Sequence, residues 1–116
     1  MDVDKIQQQL RTFAGERDWN QFHTPKNLAT ALSVEAAELL EIFQWLTDEQ
    51  SLAIKTDHQR MDMVSQEIAD VMMYLLRLAD VLSIDLQQAV DQKMIINAEK
   101  YPIEKARGNA SKYTDL

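Results

Sequence analysis

The chain has 116 residues, a length that fits one domain, 1–116, with a modest core. Apolar residues make up 46%, with only 2 Gly, 2 Pro and no Cys, which excludes collagen-like, low-complexity and disulfide-stapled proteins. A net charge of −7 argues against a general binder of nucleic-acid polymers, although a bound cation can invert the sign locally. No apolar run reaches the length of a membrane span and no signal-peptide pattern follows Met1, so the expected setting is cytoplasmic, away from membranes.

Abundant Ala, Leu, Gln, Glu and Met, with few strand-like alternations, predict an all-α fold of four to five helices. Val3, Ile6, Leu10, Phe13 and Ala14 recur at helical spacing, with Asp2 or Asp4 as N-cap, and predict a first helix to about Arg17. The connection Asp18–Thr24 carries Trp19, Phe22 and His23, large groups for a surface loop. They either cap a core or stack on a ligand. His23 reads as a structural hydrogen-bond partner, because no second His or Cys stands at zinc spacing.

Thr24-Pro25 is a helix start, Thr as N-cap and Pro at the first position, and the second helix is predicted to run to about Leu46. Leu28, Leu32, Ala36, Leu39 and Phe43 line its apolar face. Glu35 projects within about 40° of Leu28, Leu39 and Ile42 on that face, and Glu38 lies at its edge. A polar connection with a short helical turn near Ser51–Ile54 follows. Thr56 with Gln59 then reads as a capping box for a third long helix over about 57–82, with His58 exposed in its first turn.

The third helix repeats the device. Val64, Val71, Tyr74, Leu78 and Leu82 form its apolar face, Glu67 falls in the middle, and Asp70 follows at i+3. If the two helices pack antiparallel, Glu35, Glu38, Glu67 and Asp70 converge. Four carboxylates in a poorly hydrated place repel strongly, and a divalent cation resolves that. All-oxygen ligands suit Mg²⁺, or Mn²⁺ in its place, rather than Zn²⁺.

Asp85 with Gln88 opens a helix over about 86–100, whose apolar residues Leu86, Ala89, Val90 and Met94 share a face with Lys93 and Asn97. Lys93 there either snorkels past its neighbours or meets phosphate, and beside converging acids phosphate is the better assignment. Tyr101 follows one turn on, and Pro102 ends the helix. The tail from Ile103 to Leu116 is basic in its first part and is expected to be mobile or to drape over a neighbour. Leu40, Met72, Leu76 and Ala79 lie off the main stripes and predict a second buried face, hence at least a dimer.

Two other readings remain on the residues alone. Glu35 and Glu67 could be structural acids paired with Lys or Arg in a non-catalytic, oligomeric all-α interaction module. A ferritin-like di-iron bundle needs Glu-x-x-His pairs, and neither His23 nor His58 stands three residues after a Glu.

The run ERDWNQFHTPKNLATAL, then E-x-x-E-L and FQW, E-x-x-D-V with Tyr74, Lys93-x-x-x-Asn97, and KYP resembles the MazG-like all-α nucleoside triphosphate pyrophosphohydrolases, in particular their dCTP pyrophosphatase branch. The similarity runs from the first helix through the closing SKYTDL. It implies dimers or dimer-based tetramers and Mg²⁺-dependent cleavage of a nucleoside triphosphate between its α and β phosphates. It implies Glu35, Glu38, Glu67 and Asp70 as metal ligands, with Lys93 beside them at the reacting phosphates. Tyr74, Lys93, Asn97 and Tyr101 would contact phosphate or sugar, and Trp19 and Trp45 would lie near the base. Leu10 departs from the pattern, since related proteins can carry a His there, and it bears on the choice of base.

Overall fold

The computed structural model describes all residues, Met1–Leu116, as α-helix, 3₁₀ turns and connections without a strand. The all-α expectation holds. The chain divides into two compact units, Met1–Ser83 and Ile84–Leu116.

The first unit is built on three long helices: α1 (Val3–Glu16), α2 (Pro25–Phe43) and α4 (His58–Val81). Asp2 caps α1 by accepting from the Lys5 amide, and Thr24 caps α2 ahead of Pro25, each satisfying an otherwise unpaired amide. The α1–α2 connection depends on Asp18, held at φ 54° beyond the end of α1. There the Asp18 amide bonds Gly15 O and the Trp19 amide reaches back to Ala14 O at 2.9 Å. This closes α1 in a Schellman turn and redirects the chain into the aromatic loop.

α4 is the central element. Gln7 Nε2 donates to Leu76 O, and Arg11 binds Asp80, a separation of 69 residues in both cases, so α1 and α4 run parallel where they touch. α2 packs on another face of α4. Ala14, Leu28, Leu76 and Ala79 are buried in this unit. Full burial of a Leu side chain contributes roughly 1.5–3 kcal/mol. Leu76 and Ala79 are therefore buried within the chain, because α4 is covered on two faces. They were expected to form part of an intersubunit surface, and they do not. Leu40 is 60% exposed and remains available to a partner.

The boundaries differ from the sequence expectation at two places. α2 stops at Phe43, not near Leu46: the Gln44 amide still bonds Leu40 O, but the chain then turns so that Thr47 can cap α3 (Asp48–Leu52) in a reciprocal box with Gln50. The N-cap of α4 is Asp57, which accepts from the Arg60 amide, and not Thr56, whose hydroxyl donates to Ala53 O within a 3₁₀ turn. His58 is exposed, as expected.

In the second unit, Asp85 caps α5 (Leu86–Lys100), and Pro102 precedes the one-turn α6 (Ile103–Ala106). The tail folds back locally. Tyr113 packs edge-on against Tyr101 at 6.1 Å, its amide donates to the Tyr101 hydroxyl, and Lys100 lies over its ring.

Candidate active site

Position along the two helices brings the acids together. Glu35 and Glu38 of α2 face Glu67 of α4, while Glu41 and Ile42 border a cavity with Met63 and Gln66. Residue numbers thus rise on α2 as they fall on α4, and the helices are antiparallel. One carboxylate oxygen each from Glu35, Glu38 and Glu67 lies within 4.8 Å of the others. Glu35 Oε2 and Glu67 Oε2 are buried and have no hydrogen-bond partner. No lysine or arginine pairs with these acids, so the structural ion-pair alternative has no partner to offer.

Burial raises the Glu35 carboxyl to about 7, helped by the adjacent Glu38, then Glu67, then the charge of Asp70. Two carboxylates that meet across a helix pair, each with an orphaned, buried oxygen, and an exposed third acid at the rim fit a hard divalent cation. The cluster could hold a metal. Asp70 stands one turn further along α4, outside the 4.8 Å group but close enough to act on Glu35 by charge.

Asp70 also borders a cavity of about 440 Å³ within the first unit. Its walls include Leu10 and Phe13 from α1, Trp19 and His23 from the loop, and Tyr74 and Arg77 from α4. Phe13 and Trp19 meet edge to face at 5.7 Å, which stiffens this aromatic wall. Of the expected substrate residues, Trp19 and Tyr74 are therefore in one cavity beside the acids. Trp45 is not: it is 86% exposed on the turn after α2, which ends at Phe43. Lys93, Asn97 and Tyr101 belong to the second unit, Lys93 exposed and Asn97 half-buried on α5, Tyr101 at its end.

Sequence reasoning missed the cavity's polar brace. Arg77 is buried, donates through its guanidinium to Asn20 Oδ1 (2.7 Å) and through Nε to His23 Nδ1 (3.2 Å), and lies 3.5 Å from Asp80. Arg11 holds Asp80 from α1 in a two-point contact of 2.7 and 3.1 Å. A signal existed: Arg77 stands at i+7 from Asp70 and i+3 from Tyr74, on the same face of the same helix. The expectation that His23 is a hydrogen-bond partner is met by Arg77.

Fold and site define an all-α protein with a carboxylate cluster beside an aromatic cavity. Residues 30–116 match the MazG-like family, and the chain belongs to that family. It is 42% identical over 114 residues to dCTP pyrophosphatase 1 of Mus musculus, covering 98% of this chain and 67% of the relative. Against dCTP pyrophosphatase 1 of Homo sapiens the identity is 41%, with the same coverage of 98% and 67%. The crystal structure of a pyrophosphatase from Archaeoglobus fulgidus DSM 4304 matches with a TM-score of 0.78 at 46% identity, over 85% of this chain and 91% of that one.

Proposed function

We propose that the protein is a nucleoside triphosphate pyrophosphohydrolase that converts dCTP, or a modified dCTP, to the monophosphate and pyrophosphate, and so cleanses the nucleotide pool. The observation that carries this reading is the position of Asp70, which borders the aromatic cavity and acts electrostatically on Glu35 in the acid cluster. A base in the cavity would then have its phosphates within reach of the acids. The names of the relatives supply the cytosine nucleotide as substrate.

Glu35, Glu38, Glu67 and Asp70 would hold Mg²⁺, with Mn²⁺ as a substitute. When bound, the metal neutralises the triphosphate and polarises its phosphoryl oxygens. Glu35 and Glu67, carried on packed helices, would hold it in place. Glu38, exposed at the rim, would accept a proton from the attacking water. The water oxygen bonds to the α-phosphorus as the bond to the bridging oxygen breaks, and pyrophosphate departs. Trp19 offers its ring to the base, an interaction of roughly 1–3 kcal/mol that tolerates any base. Lys93, Asn97 and Tyr101 supply a cation and hydrogen-bonding groups suited to phosphate and sugar, and Trp45 a further aromatic for the base.

We also propose a homodimer or a dimer-based tetramer, because Val34, Leu40 and Leu52 are large apolar side chains left exposed on the single chain. Light scattering at micromolar concentration tests the assembly, and a monomer refutes it. Chromatography of the products from a panel of deoxynucleoside triphosphates with Mg²⁺ tests the reaction. dCMP with pyrophosphate is expected, and dCDP with orthophosphate refutes α–β cleavage.

A further inference from the structure

We propose that His23 is a specificity-determining residue of the cavity, supplying an Nε2–H donor to an acceptor on the pyrimidine edge, and that Arg77 is the positioning residue that fixes it in that form. The inference rests on the proposed function only for the identity of the ligand.

The chemistry begins at Arg77. A guanidinium has N–H donors and no acceptor. Its Nε–H points at His23 Nδ1 over 3.2 Å, so Nδ1 must be the lone-pair nitrogen and the ring proton must sit on Nε2. Arg77 cannot rotate away to relax this choice. Its other contacts, Asn20 Oδ1 at 2.7 Å and Asp80 at 3.5 Å, hold both ends of the fork, and Arg11 in turn holds Asp80. Burial and the nearby Arg77 charge both push the imidazole below its ordinary range, so it stays neutral near pH 7. The charged groups that border it are Arg77 and, across the cavity, Asp70.

The other nitrogen is free. Nε2 makes no hydrogen bond within the protein, and the only fully buried side-chain atoms without a partner are Glu35 Oε2 and Glu67 Oε2. Nε2 therefore keeps accessible surface, on a residue that lines the cavity. Trp19 packs against the His23 ring at 6.2 Å, so the stacking surface and the donor are held as one piece. Beside the apolar wall of Leu10, Phe13 and Trp19, a donor held in one direction selects by hydrogen bonding rather than by shape. The pyrimidine O2 and N3 atoms of cytosine are acceptors of the kind such a donor requires.

The test uses the full chain with ¹⁵N-labelled histidine rings, read by long-range ¹H–¹⁵N correlation. The chain has only 2 His, and His58→Gln, at an exposed site, assigns the spectrum. A pyridine-type Nδ1 and a protonated Nε2 are expected at pH 7, and dCMP should shift the Nε2 signals while pyrophosphate alone leaves them in place. A protonated Nδ1, a mixture of tautomers, or an Nε2 signal indifferent to dCMP overturns the proposal. In kinetics, His23→Asn keeps an acceptor for Arg77, while its amide N–H₂, on the shorter side chain, no longer reaches the position of Nε2. It should raise KM for dCTP about 3- to 10-fold with kcat nearly unchanged, the size of one neutral hydrogen bond. An unchanged KM also overturns it. Wild-type protein that binds dCMP at His23 yet leaves dCTP intact would instead refute the proposed reaction and spare the role of His23.

Discussion

Glu35 and Glu67 face each other from antiparallel helices, each with a buried Oε2 that has no hydrogen-bond partner. In a protein interior such oxygens are costly, and two carboxylates brought within 4.8 Å of each other cost more than either alone. Glu35→Gln or Glu67→Gln should therefore cut Mg²⁺-dependent activity by a factor on the order of 10² or more while leaving the metal-free fold as stable or more stable. Steady-state rates and melting curves in EDTA check both halves. A large loss of stability in both variants would mark the acids as structural.

The raised Glu35 carboxyl fixes a pH dependence for the metal-free protein. Its folded value of about 7 lies above the ordinary glutamate value of 4.5, because of burial and then Glu38, Glu67 and Asp70. The stability linked to this group is thus fully present below pH 4.5 and is lost as pH rises through 7, opposite to a salt-bridged acid. Melting temperatures in EDTA between these limits should fall with pH more steeply for wild type than for Glu35→Gln. Mg²⁺ should reverse the loss, by about 2.7 kcal/mol at a hundredfold excess over Kd. Equal slopes in the two proteins would contradict the assignment.

The tryptophans separate two parts of the proposed base site. Trp19 already lines the cavity with Tyr74, whereas Trp45 stands on an exposed turn. Trp19→Ala should raise KM about tenfold or more for every deoxynucleotide and keep their ranking, with dCTP first. Trp45→Ala should do the same if its ring meets the base. Kinetics on the four common deoxynucleotides decides each case, and normal KM values remove the stacking role from that residue.

Ser83 ends α4 at φ 55°, a left-handed conformation that a residue with a Cβ adopts at a cost of about 1 kcal/mol. Its amide bonds Asp80 O at 3.1 Å, so the turn itself is needed. Ser83→Gly should stabilise the fold by up to about 0.5 kcal/mol without altering the rate, the larger entropy of unfolded glycine taking back the rest of the gain. A lower melting temperature would show that the serine side chain contributes more than its backbone costs.

Much of this was legible before the structure. Helical spacing placed Glu35 and Glu67 on apolar faces, and antiparallel packing then required them to meet. Caps were read correctly where one Thr or Asp stood alone, as at Thr24 and Asp85, and wrongly where Thr56 and Asp57 competed for one helix start. The end of α2 was set near Leu46 instead of Phe43 because the Thr47–Gln50 box ends the helix early, a contest between two local signals that periodicity does not register. Leu76 and Ala79 were assigned to a partner subunit because one helix stripe says nothing of how many neighbours a helix will have. The Arg77 brace was missed because it joins α4 to a loop 54 and 57 residues away, a pairing fixed only by the tertiary fold.

The most direct test of the central claim is the identity of the products formed from dCTP by the wild-type protein with Mg²⁺, separated by ion-exchange chromatography. Equal amounts of dCMP and pyrophosphate, abolished by EDTA and by Glu35→Gln, are predicted. Formation of dCDP and orthophosphate, or equal hydrolysis in EDTA, would contradict the account.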